Sequence, residues 1–152
     1  TSYNFGIGEK DKEVDINISK NSYSSSILDI MPLHTETEPA SKYFSSETIA
    51  IKKLENVTEI NNEKLNKIFL KIDTQGYEAQ ILQGIGKLLD KIEGIQIELS
   101  LYPLYKGQSL FFELHERIKE LGFELWDLQR GFSNTKSGKI YQLDGIFFKI
   151  KK

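Results

Sequence analysis

Two carboxylates stand where an α/β sheet usually does chemistry. Asp73 closes the segment IFLKID and Glu98 lies near the end of IQIELS; ligands of open α/β sheets bind at the carboxyl ends of strands. Side chains alternate along a strand, so Lys71 and Asp73 share one side of the first segment, and Gln96, Glu98 and Ser100 share one side of the second. If the two strands are neighbours, a lysine and two acids converge at one end of a sheet. That set suits a polar cluster facing a ligand. It equally suits a structural ion pair, because an uncompensated Lys71 on a central strand would be costly. Glu78 carries less information, since an acid in the first turn of a helix is favoured by the macrodipole in any protein.

The remaining reactive side chains form weaker patterns. His34 falls in a polar stretch and His115 beside an apolar helical stripe; two histidines without ligand spacing, in a chain with no cysteine, give no metal site. Ser24, Ser25 and Ser26 lack the surrounding G-x-S-x-G of a nucleophile elbow. Gly6 and Gly8 make a G-x-G without a third glycine, which reads first as a turn after a strand. Tyr102, Tyr105 and Phe111 either wall a pocket beside Glu98 or belong to the core.

Strands and helices must position these groups. Tyr3 to Ile7, Glu13 to Ile18 and Thr48 to Leu54 have period-two patterns and read as short N-terminal strands. Residues 19–47, rich in Ser, Thr, Glu and Asn, read as a long loop of the kind that is functional or mobile. From residue 61 strand and helix alternate. Ile68 to Asp73 is a strand, and Gln75 to Lys91 a helix whose stripe is Tyr77, Ile81, Leu82, Ile85, Leu88 and Leu89, with Ile92 just beyond. Ile95 to Ser100 is the next strand, Leu110 to Leu121 a helix with Gly122 just past its end, and Phe123 to Leu128 and Ile140 to Ile150 are strands around a turn-rich stretch. This order predicts an α/β fold with a mostly parallel, partial Rossmann-like sheet and a C-terminal antiparallel hairpin at its edge.

Composition narrows the partners. The chain has 152 residues with 20 basic and 22 acidic side chains, a net charge of −2, so nothing favours a nucleic-acid backbone. No apolar run approaches the roughly 18 residues of a membrane span, and the N-terminus lacks the pattern of a signal peptide. A cytoplasmic single domain without disulfides is expected. The chain starts at Thr1 and its one methionine is Met31, so its length is read as that of a part of a larger domain.

The segment LKIDTQGYEAQILQGIGKLL at 70–89 resembles the FkbM-type methyltransferase family, through Lys71, Ile72, Asp73, Gly76, Glu78, Leu82 and Gly84. IAIKKLENV at 49–57, SSI at 25–27, Glu98 in IQIELS, the Gly122-Phe123 pair and LDGIFFK at 143–149 extend the resemblance over nearly the whole chain. It implies an S-adenosylmethionine-dependent O-methyltransferase acting on a sugar or other hydroxylated small molecule. Asp73, Glu98 and Lys71 would be catalytic, and Asp73, Gly76 and Gly8 would face the cofactor. The family's glycine-rich turn and ribose-binding acid find no counterpart, and FGIG at 5–8 resembles a later segment. The chain therefore resembles the C-terminal portion of the family domain, expected to bind the cofactor weakly or not at all and to be inactive alone. The alternatives are a non-catalytic α/β association module and a nucleotide or phosphosugar enzyme, the latter without a phosphate loop. Without earlier strands, the Asp73 strand would expose an edge, and self-association there is expected.

Overall fold

The computed structural model describes residues 2–57, 60 and 66–150. Its strands are β1 (Gly6–Ile7), β2 (Lys12–Ser19), β3 (Tyr43–Lys52), β4 (Ile68–Ile72), β5 (Ile92–Ser100), β6 (Phe123–Arg130) and β7 (Gln142–Lys149). Its α-helices are α1 (Pro32–Thr37), α2 (Glu78–Gln83) and α3 (Phe111–Glu120). They form two sheets, one ordered β1-β3-β2 and one ordered β4-β5-β7-β6.

The α/β class holds, but the sheets are mixed rather than mostly parallel. In the four-stranded sheet only β4 and β5 pair in parallel, while β7 runs antiparallel to both β5 and β6. The α3 crossover from β5 leaves one strand position free, and β7 returns into that slot. The expected hairpin exists, with β6 on the edge and β7 inside the sheet. Strand order along the chain fits either arrangement; the pairing partner of β5 decides between them.

Local sequence explains most of the other departures. Two of the N-terminal strands are long, β2 at eight residues and β3 at ten, and they pair along their length, while the strand expected over Tyr3 to Ile7 is reduced to the two residues of β1. The first half of β3 is exposed on both faces, so no alternation of apolar residues marks it, and it hid inside the expected loop at 19–47. Pro32 at the first turn of α1 and a 3-10 turn at Pro39–Ser41 occupy more of that stretch. The helix expected over 75–91 stops at Gln83. Gly86, at φ +56°, breaks it, and a 3-10 segment carries Leu88 on to β5.

The main core lies under the four-stranded sheet, with Ile95, Ile97, Leu99 and Phe147 packed against Ile81, Leu82, Leu114 and Ile118 of α2 and α3. A smaller cluster of Leu104, Tyr105 and Tyr141 sits beside it. His34 is buried there, edge-on to Tyr105 at 5.2 Å, and burial lowers its pKa to about 4. Its Nδ1 is buried without a hydrogen-bond partner among the described residues. β4 is an edge strand with no partner on its outer side among the described residues. No helix among them is long and apolar enough to cross a membrane.

Candidate functional site

The turn joining β4 to α2 is built from Asp73 to Glu78. Two consecutive residues are left-handed, Gln75 at φ +55° and Gly76 at φ +98°, which glycine adopts freely and glutamine only under constraint. The constraint comes from Glu78, buried to 3% exposure. Its Oε1 accepts the amide protons of Thr74 at 3.2 Å and Gly76 at 3.0 Å, and the Thr74 hydroxyl at 3.3 Å. Burial raises the Glu78 pKa while those donors favour the charged form. A residue readable as a helix-dipole acid is thus the clamp of the turn. An acid following glycine by two residues, with a hydroxyl four residues before it, is the signal that was available.

Gln75 is held on four sides. Its backbone oxygen accepts the Ser26 hydroxyl at 2.7 Å, and its side-chain oxygen accepts the Tyr105 hydroxyl at 2.7 Å. That fixes the amide so that its nitrogen donates to Asp73 at 3.3 Å and to Glu98 at 3.2 Å. The two predicted acids do converge, bridged by a glutamine that sequence reading passed over because a polar residue beside a turn glycine carries no periodic signal.

The environments of the two acids differ. Asp73 is 42% exposed and pairs with Lys71 at 3.2 Å. Glu98 is largely enclosed, and burial foremost, with the charges of Asp73, Glu78 and Asp144 behind it, pushes its pKa up to about 8. At neutral pH Glu98 is held mostly in its neutral form while accepting from Gln75, and Asp73 is an exposed acceptor. Lys71 stands 58% exposed on the edge strand, so its pairing with Asp73 is a weak surface contact and not the burial-driven pairing expected of a central strand. Asp73 is its ion-pair partner, and Lys71 is not among the chief influences on Glu98. Among the aromatics, only Tyr105 reaches the cluster. Tyr102 lies edge-on against Tyr141, and Phe111 packs on the main core.

Gly8 and Gly76 take packing positions. A Cβ on Gly8 would stand 2.8 Å from Ile51, and one on Gly76 3.0 Å from Tyr105. Their amide protons are spent on the Lys52 carbonyl and on Glu78. Neither glycine presents the open backbone that cradles a ligand.

A cavity of about 310 Å³ opens beside Asp73 and Thr74, walled by β1, β2, β3 and the serines at 22, 25 and 26. A larger one, about 690 Å³, lies at the amino ends of β4 and β5 between Phe69, Trp126 and Phe148 and takes in neither acid of the cluster. Among the described residues no group of three or more His, Cys, Asp or Glu is placed to hold a metal ion.

A family model, the methyltransferase FkbM domain, matches residues 1–125. The chain belongs to the FkbM methyltransferase family. The match occupies the N-terminal part of the chain and ends before LDGIFFK at 143–149, short of the resemblance read over nearly the whole chain. No curated protein and no solved structure matches the chain. The FkbM match encloses the Asp73 turn, Glu78, Glu98, Tyr105 and the serine segment, and so contains the whole polar cluster.

Proposed function

We propose that the protein is a methyltransferase that methylates a hydroxyl oxygen of a small molecule, a sugar or another hydroxylated compound. The observation that carries this reading is Asp73. It is a half-exposed carboxylate at the end of β4, aimed by Gln75, bordering a cavity, within the matched family region. Asp73 accepts the proton of the acceptor hydroxyl, or orients it by a hydrogen bond, as the oxygen becomes the nucleophile. Lys71 pairs with Asp73 at 3.2 Å, and Glu98 fixes the far side of the Gln75 bridge. S-adenosylmethionine, which the family generally uses, would supply the activated methyl group when bound.

The fit of that cofactor to the described residues is poor. Gly8 and Gly76 have no free amide and no open face, and only Asp73 of the three expected contacts is accessible. The same observation favours a second reading, an α/β association module that retains the scaffold without turnover. Calorimetric titration with S-adenosylmethionine separates the two: micromolar binding removes the association reading, and no binding removes the methyltransferase reading for these 152 residues.

The direct test is methyl transfer from labelled S-adenosylmethionine to a panel of alcohols and sugars, with and without Asp73→Asn. Loss of a general base costs roughly 10²- to 10⁴-fold in rate, with circular dichroism unchanged. A variant as active as the natural chain removes Asp73 from the site.

A further inference from the structure

The cavity beside Asp73 has an unequal distribution of polar groups. Five isoleucines, Ile7, Ile16, Ile27, Ile49 and Ile51, line it. Four of its polar side chains are already engaged within the protein. The Ser26 hydroxyl donates to the Gln75 carbonyl at 2.7 Å and accepts the Leu28 amide at 3.0 Å. Ser25 accepts the Ser19 amide at 3.1 Å and shares a hydroxyl contact with Ser19 at 3.3 Å. The Thr74 hydroxyl donates to Glu78 at 3.3 Å, and the Tyr77 hydroxyl to Glu9 at 2.9 Å. What remains for an occupant is the Asp73 carboxylate, whose lone pairs exceed its two contacts, and the exposed Ser22 hydroxyl.

That accounting discriminates between occupants. A monosaccharide brings a ring of hydroxyls, and each one taken from water without a partner costs about 1–3 kcal/mol. The isoleucine walls offer none. They also lack an exposed aromatic face to receive a sugar ring, since the one aromatic lining residue, Tyr77, is buried at 5% exposure. An alkyl chain with a single hydroxyl meets the site differently: the chain is desolvated against isoleucine, and the hydroxyl donates to Asp73. At about 310 Å³ the cavity is at the small end of ligand clefts.

We propose that this cavity binds a small aliphatic alcohol, its alkyl part among Ile16, Ile27 and Ile49 and its hydroxyl at Asp73, and that the methyl acceptor belongs to that class rather than to the free sugars. The word acceptor rests on the methyltransferase reading; the binding preference does not.

The experiment uses the full chain with ¹³C-labelled isoleucine methyl groups, titrated with 3-methylbutan-1-ol and, separately, with methyl α-D-glucopyranoside. The alcohol is expected to shift the methyl signals of Ile16, Ile27 and Ile49 saturably, with half-saturation on the order of 1 mM for so small a ligand, and the sugar to leave them in place. Ile49→Trp, which fills the cavity, should weaken the alcohol at least ~10-fold, with Ile49→Phe as the milder variant if the tryptophan disturbs the amide spectrum. Sugar-induced shifts at these methyls without alcohol-induced ones overturn the proposed class. Alcohol shifts confined to other isoleucines, or no shift with either probe, overturn the site. Failure of methyl transfer to every alcohol, with the shifts observed, overturns the methyltransferase reading and leaves the binding site standing.

Discussion

The side-chain amide of Gln75 donates to Glu98 at 3.2 Å, across 23 residues of sequence, while its other donor reaches Asp73 at 3.3 Å. A donor favours the charged form of the acid it reaches, so its removal raises the Glu98 pKa further. Gln75→Gly makes the test clean. It relieves a left-handed glutamine, worth about 1 kcal/mol, and this offsets much of the loss of hydrogen bonds at about 1 kcal/mol each. Stability should change by no more than about 2 kcal/mol, while the Glu98 carboxyl, followed by carbon NMR, titrates above its natural midpoint near 8. Gln75→Glu, which adds a third acid, should move it further. Unchanged midpoints in both variants show that the bridge does not couple the two acids.

Glu98 also ties stability to pH, in a direction opposite to that of most carboxylates. Its pKa rises on folding from an ordinary 4.5 to about 8, so between those values the folded state holds a proton that the unfolded state has released. The stabilisation is complete below pH 4.5 and is lost as pH climbs to 8. Buried Glu78, also raised, acts in the same sense. Thermal melts from pH 6.5 to pH 9, above the range in which buried His34 acts in the opposite sense, should therefore fall in midpoint, and Glu98→Gln should flatten the slope without abolishing it. A natural chain whose midpoint rises over that range contradicts the assignment.

Gly84 joins the two sheets. A Cβ there would lie 2.0 Å from the Gly8 carbonyl oxygen, and the Gly84 carbonyl itself accepts the Leu54 amide at 3.0 Å. Both neighbours are backbone and cannot swing aside. Gly84→Ala should cost at least about 2 kcal/mol by urea denaturation, through overpacking. Gly107→Ala, at φ +77° with open space around it, should cost only about 1 kcal/mol of backbone strain. Equal costs for the two substitutions would mean that the sheets do not depend on this contact.

Much of the frame was legible because it is written in burial. β2, β4, β5 and α3 each bury one face or nearly everything, and their apolar patterns follow the period of the element. Asp73 and Glu98 could be placed at strand ends on the same logic. Where both faces meet water, as in the first half of β3, pattern fails because no side chain is selected for hydrophobicity. The choice of β7 as the partner of β5 was invisible for another reason: pairing is a contact between distant segments that neither strand's own pattern specifies, and here β7 meets β5 from Gly94 opposite Phe148 to Ser100 opposite Gln142.

The amino-acid sequence by itself determined which residues had chemistry to offer and which family they belong to, since residue type and local spacing are one-dimensional properties. Charge state, accessibility and company are not. Glu98 becomes a neutral acid and Asp73 an open base because one is enclosed near other carboxylates and the other is left at an edge. Gln75 joins them, and the serines wall the adjoining cavity, because Tyr105, Ser26 and Glu78 arrive from three distant segments to hold one strained turn. Those relationships exist only once the chain has closed on itself, where desolvation and distance, rather than sequence separation, decide the energies.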